Sequence, residues 1–191
     1  MRERVQVLVE PIIPVIRGAP LRTLPLLIAL TTHLLMLAPA AASEQSAAVF
    51  DFELIDTSLE GEMNGPRVDE QARLARLGEE LRKRLAVSGR FVVVDVGPLA
   101  REARASNLQA CGGCDVVFAR RLGAALAITG TVQKVSNLIL NMNVYIRDAD
   151  TGRLVAVASV DMRGNTDESW MRGLDWLIRN RLLAVDVGAR Q

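Results

Sequence analysis

An uncharged apolar segment near the start of the chain limits how much of it can fold as a domain. Residues 24–42 are LPLLIALTTHLLMLAPAAA and follow two arginines. A basic flank, a short apolar stretch and a closing A-x-A site are typical of a secretory signal peptide. The stretch over residues 24–37 is shorter than the roughly 20 apolar residues that cross a membrane. The sequence therefore predicts a signal peptide with a long leading region over residues 1–42, cleaved near Ala40 or Ala42.

The remainder, residues 43–191, is long enough for a single domain with its own core. The chain has 23 basic and 22 acidic residues, of which the first 40 residues hold four and two, so 19 and 20 remain and the net charge is −1. Nucleic-acid binding requires clustered, uncompensated Lys and Arg, so we expect none. We expect a periplasmic protein that meets the membrane only through its signal segment, with a retained N-terminal anchor as the alternative.

The single histidine narrows the chemistry that the domain can perform. His33 lies inside the predicted signal peptide, so the exported domain contains no histidine. Nucleophile activation by Ser-His-Asp or Cys-His arrangements is thereby excluded, and the commonest zinc ligand is missing. We expect a protein that is not an enzyme and that has no metal ion or other cofactor.

Hydrophobic periodicity predicts a single small α+β domain in the order βαβα(α)βββα, with a mostly antiparallel sheet covered by amphipathic helices. The segment over residues 56–69 is rich in turn formers and is expected to be an exposed loop. Gly130 inside a strand indicates a bulge or a close backbone approach. The predicted strands cover residues 47–55, 91–96, 125–135, 138–147 and 153–162, and the main helices cover 69–87, 114–122 and 167–184.

Two groups of polar or aromatic side chains are predicted to face solvent and to offer a partner-binding surface. One group alternates with the apolar residues of a predicted strand, and the other surrounds a tryptophan that falls outside the apolar stripe of the last helix. Trp and Arg are enriched at interface hot spots. A half-buried packing tryptophan and an ordinary solvated strand face are the alternatives. The side chains are Asn141, Asn143, Tyr145, Arg172, Trp176 and Arg179.

The sharpest motif is Cys111-Gly112-Gly113-Cys114, which holds both cysteines of the chain. In an exported domain such a pair favours a structural disulfide that fixes the start of the next helix. We expect that helix to direct Val117, Phe118 and Leu122 at the sheet. The alternative is a thiol–disulfide oxidoreductase, because a C-x-x-C at a helix N-terminus lowers the thiol pKa. Against it, redox motifs of this kind follow a strand directly, and here a polar link precedes the first cysteine.

Acidic residues on the first two strands offer a weaker hypothesis. Asp51 and Glu53 alternate on the first strand, and Asp95 ends the second. Paired carboxylates can perform acid–base catalysis only when they share a cleft that shifts their pKa values. The commoner arrangement is a carboxylate that faces solvent or pairs with arginine.

Several short motifs occur together between Cys111 and Val155. A helix ends in RRLGA, a strand has ITGTV, a hairpin is closed by DADTGRLV, and RGNTDESW follows over residues 163–170. This set resembles a proteobacterial family of small exported proteins of unknown function, over most of residues 47–185. That family is similar to periplasmic domains of the Tol-system propeller protein and of curli-secretion and penicillin-binding-protein-activator lipoproteins.

The resemblance implies a non-catalytic binding or envelope-assembly module whose partner is another periplasmic or envelope protein. It does not extend to a lipid anchor, because no cysteine directly follows the apolar segment. Likeness of fold is in any case a weak guide to function.

Overall fold

Five segments with alternating or continuous apolar residues form one sheet in the computed structural model, which describes residues 44–184. The strand order is β2-β1-β3-β4-β5; β1 runs parallel to β2 and β3, and β3 to β5 form an antiparallel meander. The predicted class, a single small α+β domain with helices covering the sheet, is confirmed. The strands are β1 (Gln45–Asp56), β2 (Phe91–Val94), β3 (Leu126–Lys134), β4 (Leu140–Asp148) and β5 (Leu154–Met162).

Within residues 44–184, five α-helices connect or cover these strands. A single 3₁₀ turn, Gly97–Leu99, opens the third of them, and a π-helical segment, Ile178–Leu182, continues the last. Among residues 44–184, no helix is long and apolar enough to cross a membrane. The predicted signal peptide lies outside the described residues. The helices are α1 (Leu59–Asn64), α2 (Val68–Val87), α3 (Ala100–Ala105), α4 (Cys114–Arg121) and α5 (Asp167–Leu177).

The prediction of a loop over residues 56–69 is wrong in its middle, where α1 forms. Ser58 caps this helix by accepting a hydrogen bond from the N–H of Gly61, and acidic residues occupy the first turn, where the helix dipole favours them. The helix has only six residues and no buried side chain. Capping residues therefore produced a helix where composition alone indicated a loop.

The sheet has apolar side chains on both faces, and each face carries its own helices. Side chains of α2 and α5 pack on one face, and those of α3 and α4 pack on the other. The prediction for Val117 is wrong: its side chain is 45% exposed, whereas Val116 is 6% exposed. Because successive helical residues are rotated by about 100°, a start at Cys114 directs Val116, Phe118 and Ala119 inward.

At Gly130 of β3, the aromatic ring of Phe52 on β1 packs directly against the backbone. A Cβ at this position would lie 2.4 Å from the ring of Phe52, so only glycine fits. The register of β1 against β3 shifts between Val49 and Phe52 at the same place. The close approach at Gly130 is made by the Phe52 side chain and not by the backbone expected from the sequence, and the Phe52 ring enters the core.

Candidate partner-binding surface

The outer strand β5 is paired on one side only. It meets β4 along Leu154–Met162, and no strand lies on its other side within residues 44–184. Its apolar side chains Leu154 and Val157 are 45% and 49% exposed. Helix α5 packs closely on this strand, because a Cβ at Gly173 would lie 2.7 Å from the sulfur of Met162. An open strand edge and a helix therefore run side by side.

A groove of about 340 Å³ lies between β5 and α5. Trp176 on its helical wall is 38% exposed, and the Arg181 guanidinium lies 5.4 Å from the centre of the indole ring. Arg172 pairs with Glu168 at 3.0 Å, on the exposed side of the same helix. We call this the β5 groove; its walls are Val160, Asp161, Met162, Arg163, Ser169, Arg172, Gly173 and Trp176.

The polar residues predicted on β4 lie on the other face of the sheet, because side chains alternate along a strand and those of Met142 and Val144 face α5. Asn141 and Asn143 form a hydrogen-bonded ladder with Asp161. Asn143 Nδ2 donates to Asn141 Oδ1 at 2.6 Å, and Asn141 Nδ2 donates to Asp161 Oδ1 at 2.9 Å. Tyr145 lies further along the same row of β4 and is paired with Val157 of β5.

The six predicted surface residues therefore do not form one patch. Arg172 and Trp176 border the β5 groove, whereas Arg179, beyond the end of α5, pairs with Asp175. The three β4 residues lie across the sheet from them. The open edge of β5 borders both faces of the sheet and therefore lies beside both groups.

Cys111 and Cys114 form a disulfide at the start of α4. Cys111 is exposed and Cys114 is half-buried. The bond closes the turn that contains Gly112 and Gly113, both of which have positive φ angles, 71° and 111°. Residues 106–113 connect α3 to α4, so no strand precedes the helix as it does in redox motifs. The exposure of Cys111 would permit exchange, but the topology gives the oxidoreductase alternative no support.

The three acidic residues considered for acid–base chemistry have separate partners. Asp51 pairs with Arg82 at 3.0 Å and with Arg104 at 3.3 Å. Asp95 accepts a hydrogen bond from the N–H of Gly97, and the carboxylate of Glu53 accepts one from Leu108. Within residues 44–184, no three Cys, His, Asp or Glu side chains are placed to hold a metal ion.

A buried lysine that the sequence analysis missed organises one end of the sheet. Lys134, the last residue of β3, is fully buried, and its Nζ lies 2.8 Å from Glu70, 3.2 Å from Glu60 and 3.2 Å from Asp56. Glu70 is also fully buried. Burial opposes the charge on Lys134, but hydrogen bonds to the three carboxylates outweigh it and raise the pKa of the lysine.

Two carboxylates of this network, those of Asp56 and Glu60, have lowered pKa values in turn. Burial would raise the pKa of Asp56, but hydrogen bonds from Ser58 and from Lys134 lower it. Hydrogen bonds from Asn137, Lys134 and Arg67 lower the pKa of Glu60. One lysine thus joins strand ends to the first turns of α1 and α2.

The RGNTDESW motif attaches α5 to this network. Asn165 Nδ2 donates to Glu70 Oε1 at 2.6 Å, and Thr166 caps α5 by accepting a hydrogen bond from the N–H of Ser169. Arg73 pairs with Asp167, the first residue of α5. The motif is therefore explained largely by docking of one helix against another, and it contributes Arg163 and Ser169 to the walls of the β5 groove.

A family model described as "Protein of unknown function (DUF2380)" matches residues 45–182. The chain belongs to this family. The resemblance drawn from the cysteine pair and the RGNTDESW segment, to a family of unknown function, is thereby confirmed. No curated protein matches the chain.

Three solved structures illustrate what the chain is similar to. The C-terminal domain of LpoB from Salmonella enterica is 18% identical, with 71% of this chain and 93% of that chain covered and a TM-score of 0.47. Lipoprotein GNA1162 from Neisseria meningitidis is 12% identical, with 72% and 96% covered and a TM-score of 0.48. The PelC dodecamer from Paraburkholderia phytofirmans is 14% identical, with 78% and 92% covered and a TM-score of 0.45. Likeness at this level says nothing about what this chain binds.

Proposed function

We propose that this protein is a non-catalytic binding module of the periplasm, which takes an extended segment of another envelope protein along the open edge of β5. The observation that carries the proposal is the nine-residue edge of β5 beside the exposed Trp176. Addition of a strand to a sheet edge is a recurring way of recognising peptides, in which main-chain hydrogen bonds supply affinity and side-chain pockets supply specificity.

The composition of β5 supports this use. Exposed strand edges are usually protected by lysine, proline, short length or a covering element. β5 has no lysine and no proline, and Asp161 is its single charged residue. A partner strand would cover Leu154 and Val157, and its side chains on one face would enter the β5 groove.

Two further observations support a binding role outside the cytoplasm. The predicted signal peptide directs export, and the disulfide suits an oxidising compartment. The carboxylates of Asp51, Glu53 and Asp95 each have their own ion-pair or hydrogen-bond partners within residues 44–184. Mass spectrometry should find a mature protein that starts near Ala41 or Ser43; an intact Met1 would contradict cleavage.

Site-specific photocrosslinking tests the proposal. A photoreactive phenylalanine analogue at Val157 should form an adduct with an envelope protein in living cells, and Trp176→Ala should reduce that adduct. The matched control is the same analogue at Val87, which is 81% exposed at the end of α2. Equal adducts at both positions, or none at position 157, would rule out the β5 edge as the docking site.

A further inference from the structure

Part of β1 also has an open edge, because β2, its neighbour on the side away from β5, stops early. β2 pairs with only the first four residues of β1, Gln45–Ala48. β1 continues to Asp56, so within residues 44–184 no strand lies beside residues 49–56 on that side. A cavity of about 330 Å³ occupies this position. We call it the β1 slot; its lining includes Phe52, Leu54, Leu74, Ala75, Ala103 and Leu108.

The shape of the β1 slot restricts what can enter it. Leu74 and Ala75 belong to α2, on one face of the sheet, and Ala103 belongs to α3, on the opposite face. The two helices therefore wall the slot above and below the sheet plane. A strand added beside β1 would lie in the sheet plane, about 4.8 Å from β1, and so between these walls.

Arg82 contacts β1 directly after the residues that pair with β2. Its guanidinium donates to the carbonyl oxygen of Val49 at 3.1 Å and to Asp51 Oδ1 at 3.0 Å. Arg104 pairs with the other oxygen of Asp51 at 3.3 Å. The charge of Asp51 is therefore compensated within the domain.

Glu53 is the charged side chain in the slot that lacks such compensation. Its Oε1 accepts a hydrogen bond from the backbone N–H of Leu108 at 2.7 Å, and within residues 44–184 it forms no ion pair with Lys or Arg. Burial raises its pKa, hydrogen bonds from the backbone of Leu108 and Gln109 oppose this, and the charge of Asp115 adds to the increase. A cation brought by a ligand would supply the missing partner.

We propose that the β1 slot binds an extended peptide segment of a partner protein, which adds as a strand beside β1 and places a Lys or Arg side chain against the carboxylate of Glu53. The apolar lining favours small aliphatic side chains on either side of that cation. This site is separate from the β5 edge, so each proposal can fail while the other stands.

The probe is a blocked heptapeptide, acetyl-Val-Ala-Val-Lys-Val-Ala-Val-amide, compared with the same peptide carrying Glu at the centre. In NMR titrations of the ¹⁵N-labelled full chain, the Lys peptide should shift amides of residues 49–56 and of the facing turns of α2 and α3. It should bind at least about tenfold more tightly than the Glu peptide, because a charge-assisted hydrogen bond contributes about 1.5 kcal/mol or more.

Variants of the slot extend the test. Glu53→Gln should remove the preference for Lys, and Glu53→Lys should reverse it in favour of the Glu peptide. Glu62→Gln, on an exposed turn of α1, is the matched control and should change nothing. Equal binding of the two peptides to the wild-type chain would overturn the proposal, as would no binding or shifts confined to β5. The wild-type comparison decides the question even if a variant fails to fold.

Discussion

Replacement of Lys134 by methionine should destabilise the fold far more than its position at a strand end suggests. The variant removes the cation that lies within 3.2 Å of three carboxylates, two of them on different helices. Glu70 would remain fully buried, with the Asn165 amide at 2.6 Å and the Arg67 guanidinium, itself partly exposed, at 4.0 Å. Removal of one member of a buried ion pair costs about 3–5 kcal/mol, a large share of the roughly 5–15 kcal/mol that stabilises a typical domain.

Urea unfolding followed by circular dichroism measures this loss. With a slope of about 2 kcal/mol per molar urea, the unfolding midpoint should fall by about 1.5–2.5 M. Lys83→Met is the matched control, because Lys83 is the only other lysine of the chain and is exposed on α2. It should change the free energy of unfolding by no more than about 0.5 kcal/mol.

The double variant Lys134→Met with Glu70→Met separates the loss of the ion pair from the loss of packing. It should recover part of the stability, because no charge is left buried beside the methionine. A loss below about 1 kcal/mol in the single variant would refute the reasoning. The same conclusion would follow if the two substitutions destabilised the protein additively.

Three further predictions concern the fold. Replacing both cysteines by serine should cost about 1–2 kcal/mol, since the disulfide closes a short loop; calorimetry should show a melting temperature lower by a few degrees, and an unchanged value would contradict this. Gly130→Ala should cost about 1–3 kcal/mol, because the new Cβ meets the Phe52 ring at 2.4 Å; the loss should shrink in a Phe52→Leu background. The free energy of unfolding should fall as the pH is lowered into the acid range. The folded-state pKa values of Asp56 and Asp148 lie below their ordinary 3.8, so protonating these carboxylates removes stability. The free energy of unfolding should also fall with alkali, as Lys134 is deprotonated through a folded-state pKa above its ordinary 10.5; a curve flat at both extremes would contradict the buried network.

Alternation along the strands predicted the core-facing side chains of the hairpin except Leu138 and Leu154, which are 72% and 45% exposed. It also contained a clue that sequence analysis left unused. Lys134 is an even number of positions from the apolar residues Ile128 and Val132 on its strand, and the same holds for Asp56 relative to Phe52 and Leu54. Since such residues share one face of a strand, both polar residues are placed on an inward face. The sequence cannot show that their strands are neighbours, so the pair was not recognised.

The parallel direction of β1 and the early end of β2 could not be predicted for a related reason. Both depend on how distant segments pair, and the local pattern of FVVVDV is equally compatible with a longer strand. The β1 slot exists only because β2 stops at Val94 while β1 continues. Likewise, the phase of α4 depends on the turn at Gly113, and for that reason Val116 rather than Val117 faces inward.

Hydrogen exchange tests the central claim most directly, because strand addition at β5 must protect backbone amides of that strand. The full chain would be measured alone and with the partner identified by photocrosslinking, and the rates would be compared for residues 154–162. The account predicts that exchange slows in alternate residues of β5, as expected when one side of an edge strand gains hydrogen bonds, and that Val157→Lys abolishes the effect. Unchanged exchange throughout β5, with protection elsewhere on the domain, would contradict it.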